Sequence, residues 1–345
     1  MVYGSYGYTG QLIVNECKSK QLDVVLAGRD ENKLKLQSKQ SGYPFQRVDI
    51  DDAIALTKLI APAALVIHCG GPFQFTAHRM AAACLATQTH YTDITGESEV
   101  FESLALLDAQ AKAAGITILP GTGFDVVPSD CLAFHLKNRL PTATHLQLAF
   151  TMSKGGLSRG TSKTMVEGLG NGGMIRKEGK LTSIALGEKI MEVDFGAFKT
   201  KALCIPWGDI STAWRSTGIP NIEVYNGTTD KIIRSARISR YFNWLLRKRW
   251  VKNLLLKQID KKTGPSEERR AAGKSFLWGK VWDADGKNDE SRLETLDGYT
   301  LTAKTSVLIA EKILRGDFKS GYQTPAMAYG ADLILEMDGT KRFDL

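Results

Sequence analysis

The sequence predicts an α/β protein in which a doubly wound parallel sheet is followed by a second, mixed α+β domain. Three observations predict it. Over about the first 120 residues, short β-branched runs alternate with helical stretches, as parallel strands joined by crossover helices do. A glycine-rich turn at residues 4–10 separates the first strand from the first helix. After Pro128 the texture changes to longer strands and glycine-dense loops such as Gly168 to Gly173.

The strands expected in the first domain are Met1 to Tyr3, Asp23 to Ala27, Phe45 to Val48, Leu65 to Cys69, His90 to Asp93 and Ile116 to Leu119. Between them, Gly10 to Lys20, Asp52 to Ile60, Thr76 to Thr87 and Ser98 to Ala114 read as helices. Strand one is short for a central strand, so the start of the chain reads as trimmed, although three residues still pair if their neighbours bury them. In the second domain, His145 to Ser153 and Ile190 to Phe198 read as strands. Phe276 to Asp283 and Ser291 to Thr295 form a hairpin about Asp285-Gly286. Leu301 to Leu314 is an amphipathic helix, apolar at Val307, Leu308, Ala310, Ile313 and Leu314. The expected division is residues 1–128, 129–300 and a C-terminal segment 301–345 that returns to the first domain.

A length of 345 residues, 43% hydrophobic and 24% charged, fits two domains at roughly 150 residues each. It excludes a disordered chain and a disulfide miniprotein. No run approaches the roughly 18–20 apolar residues that span a bilayer, and no charged and apolar leader precedes the glycine turn, which predicts a cytoplasmic protein. Five scattered cysteines without a C-x-x-C pair indicate buried thiols. The net charge of +8 is concentrated: residues 234–262 hold ten Lys or Arg and one acid, and the remainder holds 35 basic and 36 acidic residues. The body is neutral and carries one basic segment.

Gly4-Ser5-Tyr6-Gly7-Tyr8-Thr9-Gly10 is a G-x-x-G-x-x-G turn between strand and helix, a context suited to a dinucleotide pyrophosphate. Gly4 allows the tight turn, Gly7 a close approach of backbone to phosphate, and Gly10 close packing of a helix whose N-terminal N–H groups face the anion. About 20 residues on, a chain of this kind that binds NAD usually places an acid on the ribose 2′-hydroxyl. Here Ala27-Gly28-Arg29 offers a guanidinium, with Lys33 nearby, which favours a 2′-phosphate and so NADP(H). Asp49 and Asp51, after strand three, fit the adenine rim, and exposed turn acids are their alternative reading.

Ligands of an open parallel sheet lie beyond the carboxyl ends of its strands. Strand four is followed by Gly70-Gly71-Pro72-Phe73, where the glycines admit the cofactor and Phe73 walls the nicotinamide or substrate. His68, inside that strand, reads as a satisfied buried histidine. After strands five and six, Tyr91, Asp93, Glu97 and Asp125 are candidates to converge on a bound ring as proton donors or acceptors. The competing reading places Glu97 in the first turn of the next helix.

The segments GSYGYTG, AGR, HCGGPF, HYTDITGE and GFDVVPSD, in this order and at these separations, resemble the saccharopine dehydrogenase-like oxidoreductases, a family that includes trans-acting enoyl reductases. Arg159-Gly160-Thr161, Gly264-Pro265-Ser266-Glu267-Glu268-Arg269 and Asp297-Gly298-Tyr299 resemble its later landmarks. The resemblance implies a Rossmann domain, a second α/β domain and a returning C-terminal segment. It does not supply a substrate: the second-domain polar contacts of enzymes that make saccharopine are not matched here residue by residue.

Gly156-Leu157-Ser158-Arg159-Gly160 fits the G-x-S-x-G pattern of hydrolases, yet all five histidines precede Ser158, against the chain order that fold requires. Ser158, Arg159 and Thr161 instead read as a helix N-terminus that holds an anionic or carbonyl group of the substrate. No histidines or acids show metal-ligand spacing. The basic segment interleaves Trp244, Trp250 and other apolar residues with its cations, which suits peripheral contact with anionic lipid. A buried helix with snorkelling cations is the competing reading, and no nucleic-acid motif accompanies the charge. The combined expectation is an NADP(H)-dependent oxidoreductase, acting on a small-molecule or lipid-like carbonyl, imine or activated alkene, and pairing as a homodimer. A non-catalytic NADP-binding scaffold at a lipid surface is the rival.

Overall fold

The computed structural model describes residues 1–153, 156, 158–259 and 263–345. Leu157 of the G-x-S-x-G motif and residues 260–262 of the basic segment lie outside the described residues. The chain forms two compact units: Met1–Val127 with Tyr299–Ala328, and Pro128–Gly298 with Tyr329–Leu345. The C-terminal segment is therefore divided, its first part belonging to the first unit and its last part to the second.

In the first unit, β1 (Val2–Tyr3), β2 (Leu26–Gly28), β3 (Phe45–Arg47), β4 (Leu65–His68), β5 (His90–Asp93) and β6 (Thr117–Leu119) are parallel. With the short strand Gly321–Tyr322 added beside β6, the order across the sheet is Gly321–Tyr322, β6, β5, β4, β1, β2, β3. The reversal at β1 and β4 is the switch point of a Rossmann sheet. The two-residue β1 is stable because both neighbours hold it: Val2 pairs with Leu26 on one side and Ile67 on the other. Pairing continues past its ends, with Gly4 N–H donating to Ala27 O at 2.8 Å and Cys69 N–H to Tyr3 O at 2.8 Å.

Crossover helices α1 (Tyr8–Ser19), α2 (Glu31–Ser41), α3 (Ala53–Ile60), α4 (Phe73–Thr87) and α5 (Ser98–Ala105) connect these strands. The expected strand from Asp23 is shorter, beginning at Leu26, and Val25 is exposed. The expected helix Ser98 to Ala114 breaks into α5 and Asp108–Ala113, because the turn between them rotates Leu106 to solvent and Leu107 into the core. The core is formed by Val66, Met80, Tyr91, Leu104 and Ile118, among others, between sheet and helices.

The second unit is built on a mixed sheet ordered Ile190–Asp194, Lys199–Cys204, Asn221–Gly227, His145–Met152, Lys274–Trp282, Asn288–Leu296 and Lys341–Asp344. Asn221–Gly227 and His145–Met152 run parallel, whereas the other neighbours along that order are antiparallel. The expected single strand Ile190 to Phe198 is instead a strand and the start of a hairpin. Gly196, at φ +89°, donates its N–H to Asp194 Oδ1 at 2.8 Å and reverses the chain. The hairpin about Gly286 (φ +82°) is tied by Asp283, whose Oδ1 accepts from the N–H groups of Asp285 and Lys287 at 3.0 Å each. Four of the five thiols are buried, while Cys69 is half-buried.

Candidate functional site

The carboxyl edge of the parallel sheet carries the glycine turn, the ends of β2 and β3, and the loops after β4, β5 and β6. The turn closes on itself with Gly7 N–H donating to Gly4 O at 3.0 Å, and Gly7 becomes the N-cap of α1. The N-cap residue, a glycine, brings no side-chain cap, and a helix N-terminus carries the positive end of the helix dipole. Two glycines are required sterically. Gly4 lies at φ +74°, where an added Cβ would meet Gly70 N at 2.9 Å, and a Cβ on Gly10 would meet Gly4 O at 2.4 Å. Tyr8 rests edge-on against Tyr299, with ring centroids 5.0 Å apart, and Thr9 is half-buried in the first turn.

Ser5 and Tyr6 have local duties. The Ser5 hydroxyl is fully buried and donates to Gln37 Oε1 at 2.7 Å, while Gln37 Nε2 donates to Ser5 O at 2.8 Å. Its side chain thus locks the turn to α2 rather than facing a ligand, as the sequence suggested; a small hydroxyl beneath a turn satisfies the buried amide of Gln37. Tyr6 lies over Gly28, where a Cβ would sit 2.6 Å from the ring, and its hydroxyl accepts from Asp30 N–H at 3.1 Å.

Arg29 is exposed just past the end of β2. Lys33, expected to help it, pairs with Asp30 at 2.9 Å and lies 5.6 Å from the Tyr6 ring centroid. Asp30 is the N-cap of α2, so Lys33 is drawn back onto its own helix start. A residue that sequence reading missed takes the neighbouring place. Arg47 ends β3, in register with Gly28, and its Nε donates to Arg29 O at 3.1 Å. Two exposed guanidinium groups therefore sit at adjacent strand ends. The signal was available in the parallel register, which puts the last residue of strand three beside the last residue of strand two. Asp49, also exposed, accepts from Asp51 N–H at 3.1 Å, which fits its reading as a turn acid.

After β4, a Cβ on Gly70 would meet His68 and Tyr3 at 3.1 Å, and one on Gly71 would meet the Phe73 ring at 3.2 Å. Pro72 is the N-cap of α4, and Phe73 is buried against His68, with ring centroids 5.3 Å apart. Phe73 therefore packs inward instead of walling an open ring site. His68 is fully buried, its Nε2 3.0 Å from Thr76 Oγ1; burial pulls its pKa down to about 3, so it is neutral.

The four acid–base candidates do not converge as a set. Tyr91 and Asp93, two residues apart on one face of β5, are both fully buried, and the phenol donates to Asp93 Oδ2 at 2.6 Å. Asp93 Oδ1 accepts from Thr95 N–H at 3.0 Å and Gly121 N–H at 2.9 Å, joining the loops after β5 and β6. Burial raises the Asp93 carboxyl to about 6 against the opposing pull of these bonds, and burial also pushes the Tyr91 phenol up. The pair is a buried clamp with no open face. Glu97 reaches instead to the start of α4, its Oε1 accepting from Phe73 N–H and its Oε2 from Gln74 N–H, both at 2.9 Å. A carboxylate there matches the positive end of the helix dipole.

Asp125 differs from the other three. It is half-buried, as Glu97 is, but it lies in the turn after β6 and not at the start of α4; its carboxyl lies against Gly96, where an added Cβ would meet Oδ2 at 2.7 Å. Burial first, and the charge of Glu97 second, raise it to about 7. A carboxyl poised there exchanges protons near neutrality. Its turn is fixed by hydroxyls from the helix Gly298–Leu314: Thr302 Oγ1 accepts from Phe124 N–H at 2.9 Å, and Thr305 Oγ1 donates to Thr122 O at 2.7 Å. Sequence reading missed these hydroxyls, having counted only the apolar positions of that helix.

In the second unit, Ser158 is the buried N-cap of the helix Arg159–Glu167. Its Oγ accepts from Thr161 N–H at 3.2 Å and lies 3.0 Å from Thr161 Oγ1. Ser158 and Thr161 thus cap the helix, whereas Arg159 is exposed. Among the described residues, no group of three or more His, Cys, Asp or Glu is placed to hold a metal ion.

A parallel sheet of Rossmann order, with a glycine turn at its switch point and two guanidinium groups at the end of its second and third strands, defines a dinucleotide-binding protein of the NADP type. Residues 1–119 match the family described as saccharopine dehydrogenase NADP binding domain. The chain is similar to the saccharopine dehydrogenase-like oxidoreductase of Homo sapiens, 29% identical over 203 residues, which cover 51% of this chain and 47% of the relative. It is also similar to the trans-acting enoyl reductase of Mycobacterium ulcerans, 29% identical over 147 residues, 40% of this chain and 35% of that protein. The matches span about half the length of the curated mammalian relatives. The fold is that of the apo saccharopine dehydrogenase (L-Glu forming) from Saccharomyces cerevisiae, with a TM-score of 0.70 at 15% identity over 100% of this chain and 99% of that one. The chain is thus similar to a saccharopine dehydrogenase NADP binding domain over residues 1–119, and to saccharopine dehydrogenase-like oxidoreductases over about half of its length.

Proposed function

We propose that the protein is an NADP(H)-dependent oxidoreductase that transfers hydride to or from a carbonyl, imine or activated alkene, with Asp125 as the group that exchanges the accompanying proton. The observation that carries the cofactor assignment is the pair Arg29 and Arg47, joined by the 3.1 Å bond from Arg47 Nε to the Arg29 carbonyl. Two planar cations suit the doubly charged 2′-phosphate of NADP, which NAD lacks. The positive dipole end of α1, with Gly4 and Gly10 keeping the turn before it tight, suits the pyrophosphate. The bound cofactor supplies or accepts the hydride; the protein's part is to orient it and to hold a proton at Asp125. The activated-alkene option draws support from the likeness to a trans-acting enoyl reductase, and a lipid-like substrate is consistent with that option.

Stopped-flow oxidation of NADPH with a panel of ketones, imines and enoyl thioesters tests the reading. Turnover with one class identifies the acceptor. Tight NADPH binding with inertness across the panel overturns the enzyme reading in favour of a nucleotide-binding scaffold, and no binding of either pyridine nucleotide overturns both.

A further inference from the structure

We infer that the helical segment 231–259 is a docking surface for an anionic lipid bilayer, on which the protein sits peripherally. The inference stands independently of the redox reading. This stretch holds nine Lys or Arg and no acidic residue. It folds as Asp230–Ser239, a 3-10 turn Arg240–Phe242, and the helices Asn243–Leu246 and Arg249–Ile259. A helix lying on a globular body normally turns its apolar stripe inward. Here Arg240–Phe242 and Asn243–Leu246 bury no residue, and Arg249–Ile259 buries Ile259 alone among its described side chains. Ile233 is buried and Leu245, Leu246, Leu255 and Leu256 are half-buried, yet the largest apolar groups face solvent: Tyr241 is 66% exposed, Trp244 65%, Trp250 64% and Leu254 56%.

The segment is held in this attitude by its own cations, used on the inner side as straps. Arg237 Nε donates to Gly187 O at 3.2 Å, and Arg247 Nε donates to Gly170 O at 2.9 Å. Arg249 donates to both carboxylate oxygens of Glu167 at 3.0 Å, and Lys252 donates to the Glu167 carbonyl. Gly170 and Gly187 are required for this seat, since an added Cβ would meet Arg247 Cγ at 2.8 Å and Arg237 Cγ at 2.6 Å. Arg234, Lys248 and Lys257 are exposed, as Tyr241, Trp244 and Trp250 are, and Arg240 stacks over the Tyr241 ring at 4.8 Å.

Trp and Tyr rings with flanking Lys and Arg are the groups that partition into the headgroup layer, the rings entering the acyl boundary while the cations meet lipid phosphates and carboxylates. Two copies meeting through this face would oppose like charges, and a nucleic acid would leave Leu254 and Ile238, 60% exposed, without apolar cover. No helix among the described residues is long and apolar enough to cross a membrane, so the contact is one of surface insertion.

The full chain is floated with phosphatidylcholine vesicles, with and without phosphatidylserine, at low and high salt. Binding to the anionic vesicles, weakened by salt, with quenching of tryptophan fluorescence by bromine-labelled acyl chains, is expected. The double variant Trp244→Ser with Trp250→Ser, both sites exposed, should retain the parent's melting temperature while vesicle affinity falls about tenfold or more and quenching is lost. A second variant, Lys248→Glu with Lys257→Glu, should lose the preference for anionic vesicles. The proposal is overturned if the parent stays unbound at low salt, or if the tryptophan variant binds and is quenched equally. It is also overturned if these substitutions dissociate a dimer or abolish RNA binding without altering vesicle binding.

Discussion

The two ends of the same sheet edge use polar residues in opposite ways. At the β1–β3 end, Arg29 and Arg47 present exposed guanidinium groups, and α1 starts without a side-chain cap. At the β4–β6 end, Tyr91, Asp93 and Glu97 are committed to a phenol–carboxylate pair, two loop N–H groups and the start of α4. The first end leaves its cations exposed, while the second spends its polar groups on holding its own loops. Glu97 and Asp125 are the half-buried carboxyls at that second end, and Glu97 is spent on the start of α4. A residue type favourable for catalysis is therefore a poor guide until its hydrogen-bond partners are known, because a buried carboxylate needs them to exist at all.

The comparison is tested most severely at Asp125. If it exchanges the proton, Asp125→Asn should lower kcat by roughly 10²- to 10⁴-fold with little change in NADPH affinity. With the carboxyl raised to about 7, activity in the direction that needs a proton donor should fall as pH rises through that value, and the variant should lose this limb. A parent and variant with the same profile would remove Asp125 from the reaction and leave the β4–β6 end purely structural.

The opposite end should respond in binding rather than rate. Replacing Arg29 and Arg47 together by Ala should weaken NADPH by about 10- to 100-fold and leave NADH nearly unchanged, at about 1.5–3 kcal/mol for a hydrogen bond to a charged group. Fluorescence titration of both nucleotides distinguishes this from a general loss of fold, which would weaken both equally.

The smallest effect is expected in stability. Tyr91→Phe removes the donor to Asp93 Oδ2 and should cost about 1–3 kcal/mol of unfolding free energy. The sign with pH follows from the direction of the shift. Asp93 is raised to about 6 in the folded protein, so its contribution to stability is present below its unfolded pKa and is lost as pH rises through about 6. The Tyr91 hydroxyl favours the ionised carboxylate, so its removal should destabilise more at about pH 8 than at about pH 5. Urea denaturation at the two pH values checks this; an equal loss at both would mean that the pair is not a charge clamp.

Much of the fold was legible in the chain. The glycine spacing located the turn between β1 and α1, His90–Asp93 was delimited correctly, and Asp285-Gly286 located the hairpin. These are local signals, arising from steric freedom at glycine and from the two-residue period of strands. The site was legible in its ingredients and less so in its assignments. Ser5, Lys33 and Glu97 have the right chemistry for a ligand, yet each meets a protein group first: Gln37, Asp30 and the start of α4. The basic segment shows the same limit, since periodicity alone did not say whether Trp244 and Trp250 face the protein or the solvent.

By itself, then, the sequence determined the order of strands and helices, the tight turn and the location of the basic segment, because each depends on residues close together along the chain. Tertiary structure decided the rest. It brought Arg47 beside Arg29 from 18 positions away, closed Tyr91 onto a buried Asp93, and set the hydroxyls of Thr302 and Thr305 under the turn that carries Asp125. The physical reason is that hydrogen-bond partners and desolvation are properties of three-dimensional neighbours, and these determine whether a polar side chain supports the protein or remains open to a ligand.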